Sequence, residues 1–458
     1  MRIGLFVFPV RFASLLPIDI AYLSAYLKMR GHEVYAHDFN VEIPVINDCD
    51  NAFWGDTNNQ EEFFNKNKQI VERWIQHILD FSPDVVGISV WEAQLYFSLQ
   101  LARMIKAKKK EVKVVFGGPW CSHMIAPLNH IIGDGVDYIV YGEGEATLAE
   151  IVESGNFKGA ITGCRRWIDG EVIDGGWREE ISNLDSLPFP DYTPFSFNKY
   201  LISAYPILLG RGCNWNCSFC THRLVWQRFR YRSAENIFKE IQHCFSQYPF
   251  VKRFQSCDHS MNANMTQLLQ LCDLIIAGNI KIEEFGGYGQ VNPRMLEDKV
   301  ILKLKQAGFN SWGIGIQSGS DRILKSMRRP YTAAQAEKML EIMHRLGVSS
   351  AIDFIIGYPD ETEEDFGQTL EFATRVGKYV TNISIAPHCL VGGNDLALYP
   401  EKYGIYALNK EEGGCAWESS ANTPAVRFLR YQTMLNHLAL QGISSQYSDT
   451  DRARKSHK

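Results

Sequence analysis

Three cysteines, Cys213, Cys217 and Cys220, stand at C-x3-C-x2-C within the stretch Gly210-Arg211-Gly212-Cys213-Asn214-Trp215-Asn216-Cys217-Ser218-Phe219-Cys220. Thiolates hold iron–sulfur clusters, and the usual number is four per cluster. Three together, with no fourth beside them, leave one iron without a protein ligand. An open metal position marks a catalytic site rather than a closed structural one. Buried structural thiols fit poorly with a loop this rich in Gly and Asn. Zinc with His222 as fourth ligand is a rival, but Cys220-x-His222 is tighter than the ligand pairs zinc modules use. An electron carrier of the ferredoxin type would want a nearby fourth cysteine, and Cys244 and Cys257 are distant in sequence.

At 458 residues the chain has room for two to three domains. A composition 45% hydrophobic and 22% charged excludes a largely disordered chain. The net charge of -5 gives no global basic field for nucleic acid. No apolar run approaches the roughly 20 residues that span a bilayer. The opening Met1-Arg2-Ile3-Gly4-Leu5-Phe6-Val7-Phe8-Pro9 reads as a strand, without the small-residue cleavage site of a signal peptide. The cysteines are then those of a reducing compartment, where thiols bind metal or stay free. A cytoplasmic location is expected.

Residues 1–155 alternate short apolar runs (3–8, 33–39, 85–91, 112–116, 138–141) with helical patterns (18–29, 61–80, 94–109, 145–154). This predicts a doubly wound parallel sheet, Rossmann-like or flavodoxin-like, with ligands beyond the carboxyl ends of its strands. The informative tips are residues 9–16, Asp38, Trp91-Glu92, Gly117-Gly118-Pro119-Trp120 and Gly142-Glu143-Gly144-Glu145. A nicotinamide-binding domain is excluded, because the first strand runs into Pro9-Val10-Arg11-Phe12 rather than a G-x-G-x-x-G turn. Asp38 is then read as a polar strand end. Residues 159–167 and 171–176, joined by Asp169-Gly170, predict a hairpin. Residues 156–205 as a whole predict an ordered connector. Residues 206–390 give six strand–helix units, with strands at 207–209, 253–257, 284–288, 312–316, 351–356 and 382–386. Their helices fall at 234–247, 265–277, 295–307, 333–346 and 363–376. Repeats of this kind predict a partial (β/α)6 TIM barrel whose chemistry sits at the carboxyl ends of the strands. Residues 391–458 form a C-terminal extension with one helix, 425–440.

The cysteine spacing is the signature of radical S-adenosylmethionine enzymes, and the chain resembles that family. The resemblance implies that the open iron is chelated by the amino and carboxylate groups of S-adenosylmethionine, which is cleaved to a 5′-deoxyadenosyl radical. It extends through Gly286-Gly287-Tyr288-Gly289-Gln290-Val291-Asn292, Trp312-Gly313-Ile314-Gly315-Ile316-Gln317-Ser318-Gly319-Ser320 and Phe354-Ile355-Ile356-Gly357-Tyr358-Pro359-Asp360-Glu361-Thr362. By that resemblance Phe219, Ser256, Asp258, Tyr288, Gln290, Gln317, Ser318 and Gly357 would contact S-adenosylmethionine. Ser256 or Asp258 would stand in for the family's Gly-Gly-Glu, absent at Gln255-Ser256-Cys257-Asp258-His259.

The first domain is similar to the cobalamin-binding type that precedes many such cores. The residues concerned are Leu16-Pro17-Ile18-Asp19-Ile20-Ala21-Tyr22-Leu23-Ser24-Ala25-Tyr26-Leu27, Phe116-Gly117-Gly118-Pro119 and Asp137-Tyr138-Ile139-Val140-Tyr141-Gly142-Glu143-Gly144-Glu145. That likeness implies cobalamin between the domains, near Trp91, Gly117, Gly118, Pro119, Gly142 and Glu143. No His would ligate cobalt from below, since His32, His37 and His123 lie outside a D-x-H-x-x-G motif. The expected reaction is radical methylation of an unactivated carbon on a small molecule or peptide. A one-electron reductant such as flavodoxin or ferredoxin would drive it. The alternative is elimination, epimerisation or cyclisation over a scaffold-only first domain, with Cys415 as a candidate hydrogen donor. A regulatory or electron-transfer iron–sulfur protein is a third class. The absence of a basic barrel after the core argues against RNA modification.

Overall fold

The computed structural model describes residues 1–9, 14–43, 57–91, 94–123, 127–155, 159–408, 414 and 416–447. These divide into two compact units: Met1–Ser203 with Leu224–Trp226, and Ala204–Arg223 with the chain from Gln227 onward.

In the first unit, β1 (Arg2–Val7), β2 (Glu33–Asp38), β3 (Val85–Ser89), β4 (Lys113–Gly117), β5 (Tyr138–Val140), β6 (Cys164–Ile168) and β7 (Glu171–Asp174) form one sheet. Its order is β2-β1-β3-β4-β5-β6-β7. The first five strands are parallel. Every residue of β3 is buried, which requires cover on both faces and explains its unalternating apolar sequence. The order 2-1-3-4-5 puts a topological switch between β1 and β3, the position where doubly wound sheets open a crevice at their carboxyl ends.

Two expectations are corrected here. The single helix expected over 61–80 is two, Thr57–Lys66 and Lys68–Asp80. Asn67 interrupts it: its side-chain amide donates to the Phe63 carbonyl at 2.8 Å, a local alternative to continued helix. The hairpin is not a separate connector. β6 pairs antiparallel with β5 and extends the sheet, turning at Asp169 and Gly170, both with positive φ.

In the second unit, β8 (Tyr205–Ile207), β11 (Arg253–Ser256), β12 (Glu284–Gly289), β13 (Ser311–Gln317), β14 (Ser349–Ile356), β15 (Asn382–Pro387) and β18 (Ser445–Tyr447) form a parallel sheet in the order β18-β15-β14-β13-β12-β11-β8. Five of the six predicted strands are in place, the first runs over 205–207 rather than 207–209, and β18 adds one that the sequence did not announce. Helices Ala234–Gln247, Met265–Ala277, Asp298–Gln306, Ala333–Arg345 and Glu363–Val376 connect them, as in a partial barrel. Helix starts follow local chemistry: Ser233 caps the first, and Thr332 and Thr362 form capping boxes with Gln335 and Asp365. Along β13, Trp312, Ile314 and Ile316 are buried while Gly313, Gly315 and Gln317 are only partly so. The first set packs under helices and the second faces the inner side of the sheet. A short antiparallel ribbon of β9 (Gly210–Arg211) and β10 (Arg230–Tyr231) closes the base of the cysteine loop. A second ribbon, β16 (Ile405–Leu408) with β17 (Trp417–Ser419), precedes the last helix, Pro424–Leu440.

Candidate functional site

Strand β8 ends at Ile207, and the chain leaves its carboxyl end as the cysteine loop. Asp258, just after β11, fixes that exit. Its carboxylate accepts the backbone N–H groups of Leu209 at 2.9 Å and Gly210 at 2.6 Å, and the Ser256 hydroxyl at 2.6 Å. Burial pushes the Asp258 carboxyl up to about 6, against these hydrogen bonds. Gly210 and Gly212 are needed by the ribbon itself. A Cβ at Gly210 would come within 2.6 Å of the Arg230 carbonyl, and Gly212 has φ +81°.

The three cysteines are partly exposed and unpaired with one another. Each sulfur has an N–H donor. Gln290 Nε2 donates to Cys213 Sγ at 3.0 Å, and Arg329 Nη1 donates to Cys217 Sγ at 3.1 Å. The backbone N–H of His222 serves Cys220. Burial pushes the Cys220 thiol up to about 11, and the neighbouring Cys217 and Cys213 add to the shift. Such a thiol becomes a thiolate only with a metal to take it.

Among the described residues, no three His, Cys, Asp or Glu groups converge as ligands of one ion. Single-zinc coordination therefore finds no support, and the His222 ring stacks on His259 at 3.3 Å between centroids. The thiolates of a cluster bind different irons and need not converge on one point. Three free thiols with N–H donors on every sulfur, in a loop pinned at its base, suit a cluster. They would hold it as Cys213, Cys217 and Cys220.

The other expected residues divide into two groups. Tyr288 and Gln317 face the open inner side. The Tyr288 ring lies over Gly313, where a Cβ would come within 3.0 Å of it. Gln317 ends β13 with φ +79° beside a pairing irregularity, and its amide folds over Gly315. Strain of this kind collects at functional sites. Phe219 packs against the apolar cluster that includes Met327, Tyr358 and Trp417. The remaining members hold the fold. Ser318 bonds the Thr369 hydroxyl at 3.1 Å. Gly357, with φ +79°, makes room for the stem of Arg427. Ser256 and Asp258 are occupied as described, and Gln290 is on a cysteine sulfur. Cys415 lies outside the described residues.

Spacing arguments missed Arg329, Tyr331, Asn262 and Asp353. The only signal for the first was the unusual run Arg328-Arg329-Pro330-Tyr331 after a short helix, Asp321–Ser326.

In the first unit, Trp91 is 42% exposed at the tip of β3. Gly117 ends β4 where a Cβ would make only ordinary contact, with Val140 at 3.8 Å. Gly118 differs. At φ +103°, a Cβ would stand 2.9 Å from the Val90 carbonyl. Pro119 starts the helix Pro119–His123. Next to it, Trp120 Nε1 is buried without a partner among the described residues. An uncrowded glycine beside an unanswered donor suits a large polar cofactor at this tip. Gly142 donates its N–H to Ser122 at 2.9 Å, and the Glu143 carboxylate accepts from Ile181 N–H at 2.6 Å. Asp38 caps its strand end and accepts from the Tyr200 hydroxyl at 3.1 Å. Residues 10–13 and 92–93 of the expected tips lie outside the described residues.

The chain matches the radical SAM superfamily over residues 207–373 and the B12 binding domain over residues 11–152. An uncharacterized methyltransferase of Pyrococcus horikoshii is 28% identical over 316 residues, 68% of either chain. The anaerobic magnesium-protoporphyrin IX monomethyl ester cyclase of Rubrivivax gelatinosus is 23% identical over 371 residues, covering 78% of this chain and 61% of that one. Among solved structures, the radical S-adenosylmethionine methyltransferase TsrM of Kitasatospora setae shares the fold. Its TM-score is 0.68 at 16% identity, over 93% of this chain and 82% of that one. The chain thus carries a radical SAM domain with a B12-binding domain ahead of it. These two domains imply an enzyme using a 4Fe–4S cluster, S-adenosylmethionine and cobalamin. Among the described residues, no helix is long and apolar enough to cross a membrane.

Proposed function

We propose that the protein methylates an unactivated carbon of a small molecule or peptide. The observation that carries this reading is the co-occurrence, in one chain, of a cysteine loop suited to a cluster and a B12-binding domain. When bound, the cluster and S-adenosylmethionine supply a 5′-deoxyadenosyl radical, and cobalamin supplies a transferable methyl group. The chain's part is to hold, orient and shield. Cys213, Cys217 and Cys220 hold the cluster. Phe219, Tyr288 and Gln317 border S-adenosylmethionine on the inner side of the second sheet, while Ser256, Asp258, Ser318 and Gly357 fix the backbone that presents them. Trp91, Gly117, Gly118, Pro119 and Gly142 border cobalamin, with Glu143 anchoring the following chain at Ile181. Fixed placement of both cofactors makes their encounter with the substrate effectively intramolecular. The electron comes from a one-electron reductant such as flavodoxin or ferredoxin, in the cytoplasm.

A second reading rests on the Rubrivivax relative, whose name records ring closure rather than methyl transfer. Anaerobic turnover with candidate substrates separates the two. Methylation adds one CH₂ to the product and yields S-adenosylhomocysteine together with 5′-deoxyadenosine. A product of unchanged or lower mass, with 5′-deoxyadenosine as the only nucleoside, would favour the second reading.

A further inference from the structure

Arg329 turns its guanidinium to the sulfur of Cys217. Its Nη1 donates to Cys217 Sγ at 3.1 Å, its Nε to the Tyr331 hydroxyl at 3.0 Å, and its Nη2 to the Gly315 carbonyl on β13. All three nitrogens of the guanidinium are thus committed, and no carboxylate pairs with it among the described residues. The guanidinium lies over the Trp215 ring at 4.6 Å and the Tyr331 ring at 5.3 Å. Tyr331 in turn donates to the carbonyls of Gly315 and Ile316, at 3.1 and 2.8 Å. The charge is therefore aimed, not mobile, and two aromatic faces keep water from screening it.

A neutral counterpart stands at the first cysteine. Asn262, fully buried, takes the Gln290 backbone N–H at 2.9 Å and gives its own amide to the Gln290 carbonyl at 2.8 Å. This fixes the Gln290 backbone, and its side-chain Nε2 donates to Cys213 Sγ at 3.0 Å.

We infer that Arg329 and Gln290 are positioning residues that raise the reduction potential of the cluster by donating N–H groups to the sulfurs of Cys217 and Cys213. The inference rests on the cluster reading of the cysteines. Reduction adds one electron, and so one negative charge, to a cluster held by three thiolates. Hydrogen bonds to the ligand sulfurs and nearby charge are among the levers that set cluster potentials. A fixed guanidinium stabilises the reduced state more than the oxidised one, because the charge it faces has grown. Without it, a weak biological reductant would leave less of the cluster reduced.

The test is a mediated potentiometric titration of anaerobically reconstituted full-length protein, with dithionite as reductant and the reduced-cluster electron paramagnetic resonance signal as readout. Iron content is measured on each sample. Arg329→Gln should lower the reduced-to-oxidised ratio at fixed potential about tenfold, near 59 mV for a one-electron couple, with iron retained. Arg329→Lys, which keeps the charge, should recover part of the loss. Gln290→Glu should shift in the same direction as Arg329→Gln. Should Arg329→Gln hold no iron, Arg329→Lys and Gln290→Leu decide. Midpoints equal to wild type in the variants that keep their iron would overturn the inference. So would loss of iron from every variant, since the residues would then build the site rather than tune it. A wild-type protein that shows no cluster signal at all would instead overturn the cluster reading itself.

Discussion

Asp353 stands on the inner face of β14, opposite Gly315 on one neighbouring strand and Ser384 on the other. Its charge is felt first of all by the Tyr288 phenol, which it pushes up. Burial raises the Asp353 carboxyl to about 6, against a hydrogen bond with Ser384. In an unfolded chain the group titrates near about 4. A raised acid contributes stability that is complete below the unfolded value and is lost as pH rises through the folded one. Asn cannot ionise. Asp353→Asn in the cluster-free protein should therefore melt close to wild type near pH 4 and above it near pH 8, by scanning fluorimetry. A melting difference that does not change with pH would show that Asp353 is not held protonated. The residue was invisible in the sequence because a single acid in an apolar strand carries no motif. Only the register of four strands, β12 to β15, brings it to Tyr288 and Ser384.

The turn after β4 separates two jobs that adjacent glycines do. Gly118 is required by the backbone: its φ of +103° and the 2.9 Å approach of a Cβ to the Val90 carbonyl leave no room for a side chain. Gly118→Ala should cost about 2 kcal/mol. Gly117 meets no such obstacle. Gly117→Ala should melt close to wild type yet weaken hydroxocobalamin binding, followed by the visible absorption change on anaerobic titration. If Gly117→Ala binds as well as wild type, the cofactor does not approach this tip closely. The sequence made the strand-and-turn pattern here legible, since glycine pairs and alternating runs are local signals. It could not tell which glycine was which, because that depends on a neighbouring strand. The same limit applies to Asp258 and Ser256. They are expected to contact S-adenosylmethionine, but Asp258 accepts the backbone N–H groups of Leu209 and Gly210 as well as the Ser256 hydroxyl, bonds that only the folded sheet brings together. The helix break at Asn67 and the added strand β18 were missed for a related reason: one is set by a single side-chain hydrogen bond, the other by an edge waiting to be paired.

The protein is built from two units with separate sheets; on the proposed reading the cluster and S-adenosylmethionine belong to the second and cobalamin to the first. The variant lacking all three loop cysteines, Cys213→Ala with Cys217→Ala and Cys220→Ala, should lose its iron while keeping hydroxocobalamin affinity within about twofold of wild type. Parallel loss of both would mean that the first unit needs a filled second unit to fold. The order of assembly follows from the ribbon of β9 and β10. A free loop must be gathered from many shapes before it can grip a metal, a cost that rises with the logarithm of its length. Here Arg211 already pairs with Arg230, and Asp258 already holds the loop's first N–H groups. The ring is closed by protein alone. Pinned at its base, the loop has fewer shapes to give up when its thiols take a metal, so less of the binding free energy goes into ordering the chain.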